Sequence, residues 1–288
     1  MPLKLELAAI TDEFSPALET ALAAMQAIGI TGVELRVVGG KNIMDLSDDE
    51  VARAMELIGR HGMHVLGIAS PLLKCVLPEG GEVDTRFQQD IFNSRHSFAD
   101  QPRLAERALR LCELTGSKIV RVFSYWRTVE PERCHDAICS ALNQLGALAA
   151  ASGVTVGLEN EHACNVGTAT EIVKVLDVVS RANVQLVWDP ANMLVAGEEP
   201  YPGGYSILPK HRIAHVHAKD CRVDPADHHY TFGPLGTQSV DWKGQIAALL
   251  SDGYRGAVSL ETHWPGPGGD KCMASTICGW NLRGLLET

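Results

Sequence analysis

Aromatic residues make up only 6% of this 288-residue chain, although apolar residues together reach 45%. The core must therefore be built from aliphatic side chains and alanine, which suits a helix-rich α/β protein better than an all-β one. Basic residues are also in deficit: 25 Lys and Arg stand against 35 Asp and Glu, a net charge of −10. That balance argues against a nucleic-acid partner, whose phosphates demand clustered positive charge. It leaves anionic small molecules open, because a metal and a few local Lys or Arg residues can outweigh the global field. No run approaches the roughly 20 apolar residues needed to span a bilayer, and the opening MPLKLELAAITDEF lacks the apolar centre of a signal peptide. A soluble, cytoplasmic protein with no membrane partner is expected. The eight cysteines, Cys75, Cys112, Cys134, Cys139, Cys164, Cys221, Cys272 and Cys278, are irregularly spaced and form no CxxC pair. They read as reduced structural thiols, not as a disulfide frame or a zinc knuckle.

What the chain does have is alternation. Short β-type runs at Leu3–Ile10, Gly32–Val37, His64–Ala69, Lys118–Ser124, Val154–Glu159, Val184–Trp188, Ile213–Ala218 and Ala257–Leu260 are separated by amphipathic stretches. Helices are predicted to open at Ser15-Pro16, near Asp45 to Asp48 with Ser47 and Glu50 as a capping box, and over Gln101–Thr115. Further helices are predicted over Glu130–Ser152, Ala169–Arg181, Trp242–Asp252 and Cys272–Leu286. Eight βα units with no Pro, Gly or Ser linker close most economically into one (β/α)8 TIM barrel covering residues 1–288. The competing architecture, an open doubly wound sheet, would need a GxGxxG phosphate loop after its first strand, and none is present. The longest connections, Glu79 to Ala99 and Arg222 to Asp241, are read as a lid or an oligomer contact.

Four of these runs end on a residue that binds metals: Glu159 in VTVGLENEH, Asp189 in VQLVWDPAN, His217 in IAHVHAKD and Glu261 in AVSLETHW. Singly, each has a plainer explanation. A strand-end Glu is commonly a cap or an ion-pair partner, Asp189-Pro190 reads as a turn, and a buried His can be a satisfied core residue. Their coincidence at the C-terminal ends of four successive strands changes the reading, since burying three acids without compensating charge is costly and a divalent cation removes that cost. Three carboxylates with one imidazole suit Mn²⁺ best, and Mg²⁺, Co²⁺ or Zn²⁺ also. His215 and His217 share one face of their strand, with His217 nearer the mouth and His215 a layer deeper.

The motifs GLENEH, VWDPAN, HVHAKD and VSLETH, in this order, resemble the xylose-isomerase-like TIM-barrel superfamily of sugar and sugar-phosphate isomerases and epimerases. Ketose 3-epimerases, hydroxypyruvate isomerases and inosose dehydratases are the relatives nearest by motif. The resemblance implies Glu159, Asp189, His217 and Glu261 as metal ligands, with Glu159 and Glu261 also serving as the acid/base pair. It implies a small sugar or sugar derivative as partner and a homo-oligomer, dimer or tetramer. Two positions depart from the epimerase pattern. Asn192 stands where a substrate-binding His is usual, and Arg222 is only a nearest counterpart of the family's Arg after the metal His. Both argue against a free ketohexose.

The chemistry this predicts is isomerisation or epimerisation of a keto-sugar by proton transfer through a metal-stabilised enediolate, with Glu159 and Glu261 facing each other across the substrate carbon. If a β-hydroxyl leaves instead, the outcome is dehydration, the alternative reading. A non-catalytic sugar-binding protein would not need the acid/base pair, and a DNA endonuclease of the same superfamily would need more histidines at strand ends. Glu34, Lys74, His162, Asn192, Lys219 and Arg222 are the candidate substrate contacts. Trp188, Trp264 and Phe14 are candidates to wall the pocket, and His228-His229 is read as surface.

Overall fold

The computed structural model describes residues 3–87 and 94–287; residues 88–93, in the middle of the expected Glu79–Ala99 excursion, lie outside them. Eight parallel strands close into a barrel. They are β1 (Glu6–Ile10), β2 (Gly32–Leu35), β3 (His64–Leu72), β4 (Ile119–Val122), β5 (Thr155–Glu159), β6 (Val184–Trp188), β7 (Ile213–Ala218) and β8 (Ala257–Leu260). Each pairs with its sequence neighbours, and β8 returns to β1 with Glu6 opposite Ala257. The (β/α)8 expectation therefore holds, and the open-sheet alternative is excluded by that closing pair.

The outer layer is formed by α1 (Leu18–Ile28), α2 (Asp48–Arg60), α3 (Gln101–Thr115), α4 (His135–Ala150), α5 (Ala169–Val178), the short α6 (Pro190–Val195), α7 (Trp242–Ser251) and α8 (Lys271–Leu286). In α1 the buried residues Leu18, Ala21, Leu22, Met25 and Ile28 recur at helical spacing and face the barrel. Gly29, at φ +87°, ends that helix: its N–H donates to Gln26 O while Ile30 N–H donates to Met25 O. The helix begins later than Ser15-Pro16 suggested, because Ser15 Oγ accepts the Ala17 N–H and caps a turn before it. The Ser47–Glu50 capping box is present with both of its bonds.

Strand ends differ where the chain turns off the barrel. β2 stops at Leu35 because Val37–Val38 pairs with Lys41–Asn42 in a separate two-stranded ribbon. Beyond β7, Asp220–Val223 and Tyr230–Gly233 form an antiparallel hairpin. Its anchor is the buried Asp220 carboxylate, which accepts backbone N–H groups from Cys221, Gly236, Gln238 and Val240. Inside the wall, Gly157 is required by closeness: a Cβ there would lie 2.6 Å from Val187 Cγ2 on β6. Among the described residues, no helix is long and apolar enough to cross a membrane.

Candidate metal centre

Each expected ligand reaches the C-terminal mouth by a different local device. Glu159 is the last residue of β5, and His217 is one before the end of β7 with its side chain turned inward. Asp189 follows β6 and caps α6, its Oδ1 accepting the Asn192 N–H at 2.8 Å while Oδ2 stays toward the centre. Glu261 follows β8, held where its N–H donates to Ala218 O. All four are buried, and one ligand atom from each lies within 4.8 Å of the others. His217 Nδ1 is 3.0 Å from Glu159 Oε1 and 3.7 Å from Glu261 Oε2.

Three further cations surround this set, two of them unforeseen. Lys219 Nζ stands 2.8 Å from Asp189 Oδ2 and 2.6 Å from Glu261 Oε2. Arg121, projecting inward from β4, bridges Glu159 Oε2 at 3.2 Å and Glu261 Oε1 at 3.5 Å. Arg36, just past β2, reaches Glu261 Oε1 at 3.0 Å and is itself clasped by Asp12 and Glu13 from the turn after β1. The sequence signal for Arg121 was its position in KIVRVFS, a lone charge inside an aliphatic strand. A buried arginine needs partners, and such a strand says that they exist without saying where.

Proton affinities follow from this crowding. Burial pushes the Asp189 carboxyl up to about 6, helped by the repulsion of Glu159 and Glu261 and opposed by Lys219. Burial works against charge on Lys219, yet Asp189 and Glu261 hold its ammonium well above the usual lysine range. For Glu261, burial is outweighed by Lys219 and His263, so the carboxylate is held well below the normal range. On His217 burial again opposes the charge, and Glu159 and Glu34 overcome it.

The donor set fits a divalent cation. Three hard carboxylates and an imidazole are the ligands that such ions take, and among the described residues the buried Glu159 Oε2 and Asp189 Oδ2 meet only the charges of Arg121 and Lys219.

The other predicted residues divide into those the fold gathers and one it does not. Glu34 lies in the barrel interior with its oxygens taken by His215 Nε2 at 2.8 Å and His217 Nε2 at 3.3 Å. His162 and Asn192 join the site as a chain: Asn192 donates to Glu159 Oε1 at 3.4 Å and to Asn160 O at 2.9 Å, and its Oδ1 meets His162 Nδ1 at 3.0 Å. His162 Nε2 in turn faces the Tyr230 hydroxyl at 3.3 Å. Burial lowers the His162 pKa against the pull of Glu161, favouring a neutral ring. Lys74 is buried over the Phe123 ring at 4.4 Å, with Glu161 Oε2 at 3.6 Å. Arg222 is exposed on the hairpin, opposite Thr231 and apart from these groups.

Trp188 and Phe14 are core residues; Trp188 Nε1 donates to Gln245 Oε1 on α7. His228 and His229 are exposed, as expected. Three non-glycine residues with positive φ, Leu73, Tyr125 and His263, follow β3, β4 and β8 at this same end, where strained backbone tends to accompany function. A groove of about 700 Å³ between α4 and α5 lies on the outer wall and contains none of the candidate ligands.

Comparison with known proteins agrees with the fold. The profile of the family described as "Xylose isomerase-like TIM barrel" matches residues 22–276. An inosose dehydratase of Bacillus anthracis is 35% identical over 92 residues, 32% of this chain and 30% of that protein. An inosose dehydratase of Clostridium botulinum is 37% identical over 139 residues, 43% of this chain and 45% of that one. The chain thus matches less than half the length of either relative. A crystal structure of the IOLI protein with a bound zinc atom superposes with a TM-score of 0.75 over 98% of both chains at 18% identity, a likeness of fold.

Proposed function

Because the chain belongs to the xylose isomerase-like TIM barrel family, we propose that it is a divalent-metal-dependent lyase that removes water from a polyhydroxylated ketone, such as a keto-cyclitol or keto-sugar. The observation that carries this is the convergence of Glu159, Asp189, His217 and Glu261 within 4.8 Å at the barrel mouth, with Lys219 inserted among them. The motifs alone pointed first to an isomerase or epimerase. The two relatives named inosose dehydratase favour the alternative reading.

A cation held by these four residues supplies Lewis acidity toward a carbonyl and its neighbouring hydroxyl. The remaining chemistry falls to side chains. Elimination beside a carbonyl needs a base for the carbon-bound proton and an acid for the departing β-hydroxyl. Glu261, kept ionised by its cationic neighbours, is the base and receives the proton as the C–H bond breaks. The C–H electron pair forms the C=C bond and expels the β-hydroxyl. Lys219, kept protonated, donates from Nζ so that the hydroxyl leaves as water. The 2.6 Å contact between Lys219 Nζ and Glu261 Oε2 then returns the proton from carboxyl to amine and resets the site. Glu159, pinned by Arg121 and Asn192, sits across the ligand set as the group that orients the substrate hydroxyl.

The test is incubation of the Mn²⁺-loaded protein with a 2-keto-inositol in deuterium oxide. Loss of one water from the substrate, seen by mass spectrometry and abolished in Glu261→Gln, is expected. Solvent deuterium at carbon without water loss would restore the isomerase or epimerase reading, and neither event would end the assignment to this substrate class.

A further inference from the structure

We propose that Glu34 is a positioning residue that fixes the His217 imidazole with its proton on Nε2, so that Nδ1 offers its lone pair to the cation; this rests on the reading of His217 as a ligand. Both ring nitrogens of His217 face carboxylates, but different ones. Nδ1 points to Glu159 and Glu261, the ligand side, and Nε2 points down the barrel to Glu34 at 3.3 Å. Without a cation the carboxylates around His217 favour a proton on both nitrogens; a cation taken by the ring would displace one of them and leave one N–H and one lone pair. An ionised Glu34 can only accept, so the hydrogen belongs on Nε2 and the lone pair on Nδ1.

The support for Glu34 is itself built in. His215 Nε2 meets Glu34 Oε1 at 2.8 Å, and the two imidazoles cross edge-on, centroids 5.3 Å apart at 85°. Glu34, His215 and His217 are 2%, 2% and 0% exposed, so water does not compete for these bonds. On the far side Glu34 lies beside Gly67 in the β2–β3 pairing. A Cβ at Gly67 would approach Glu34 Oε2 to 3.1 Å and Cγ to 3.3 Å, so the missing side chain provides the room that the carboxylate occupies. The H-x-H spacing on β7 is thereby explained: the inner histidine steadies the acid that orients the outer one.

A carboxylate behind a ligand histidine sets its tautomer and basicity, and removing one weakens metal binding by about 10–100-fold. Titration calorimetry with Co²⁺ should show that loss in Glu34→Gln, whose amide cannot accept from both rings, with Glu34→Asp recovering part of it. Long-range ¹H–¹⁵N spectra of the Zn²⁺-loaded wild type should show His217 bound through Nδ1 and protonated at Nε2. If Glu34→Gln does not fold, Gly67→Ala, which crowds the carboxylate, should weaken Co²⁺ binding instead. Co²⁺ affinity within threefold of wild type in the folded variant, or zinc on Nε2, overturns the proposal. Neither readout uses a substrate. A wild type that binds Co²⁺ but never dehydrates the keto-cyclitol ends the lyase reading and leaves this one intact.

Discussion

At the scale of single residues, the mouth of the barrel is a problem in buried charge. Glu159, Asp189 and Glu261 bring three buried carboxyl groups together, and the chain supplies Lys219, Arg121 and Arg36 from three different strands or the turns just after them. Arg121 is the most informative of these, because one guanidinium touches both Glu159 and Glu261 and also donates to Ala69 O. Breaking a buried pair by removing one partner costs about 3–5 kcal/mol. Arg121→Met should therefore lower the urea midpoint of the metal-free protein by a loss of that order. Saturating Mn²⁺ should recover part of it, because the ion replaces the missing positive charge. Equal midpoints for Arg121→Met and wild type without metal would mean that the carboxylates are neutralised by another route.

At the scale of elements, the placement of the site depends on how each strand hands over to its helix. The junction after β5 shows this well. Thr168 caps α5, Glu171 returns the bond to the Thr168 N–H, and Arg127 from the loop after β4 closes on Glu171 at 2.7 Å. Burial raises the Glu171 pKa, but the Arg127 bond and charge, with N–H groups of Gly167 and Thr168, bring it below the usual range. A depressed carboxylate stabilises the fold above its unfolded pKa of about 4.3, and the contribution fades as pH falls below that value. Thr168→Ala should cost about 1 kcal/mol at neutral pH, and Arg127→Met should flatten the acid limb of the stability–pH curve. An unchanged acid limb in Arg127→Met would remove Arg127 as the cause.

This junction also marks what can be read from sequence. The Thr168–Glu171 signature matches the Ser47–Glu50 box that was read correctly, since capping is local. The convergence of the four candidate ligands was legible for a related reason: each terminates an apolar run, and period-two alternation turns Glu159 and His217 inward. Arg121, Arg36 and the Glu34–His215 pair were not placed, because their partners come from strands far away in sequence. Glu34 and His215 lie 181 residues apart and meet only when the barrel closes. The early end of β2 was hidden as well, since Val37–Val38 is as strand-like in its ribbon as it would be in the barrel.

At the scale of the whole molecule, the candidate ligand set comes from the last four strands while the counter-charges Arg36 and Arg121 come from the first half of the barrel. A cation held at that point would tie β5, β6, β7 and β8 together across residues 159 to 261, so its binding energy would become folding energy. Stabilisation by a ligand specific to the folded state grows as the logarithm of its free concentration and reaches about 2.7 kcal/mol at a hundredfold excess over Kd. For a chain of this size each kilocalorie is worth about 2–4 °C, so the Tm should climb several degrees across a Mn²⁺ series. The surface must be separated from the site, because a chain of net charge −10 attracts any divalent ion weakly and without saturation. His217→Ala removes one ligand and leaves the surface charge unchanged. It should abolish the saturable part of the Tm rise and keep only a shallow drift. An identical saturable rise in His217→Ala would place the stabilising ion elsewhere on the acidic surface and separate the barrel-mouth carboxylates from metal binding.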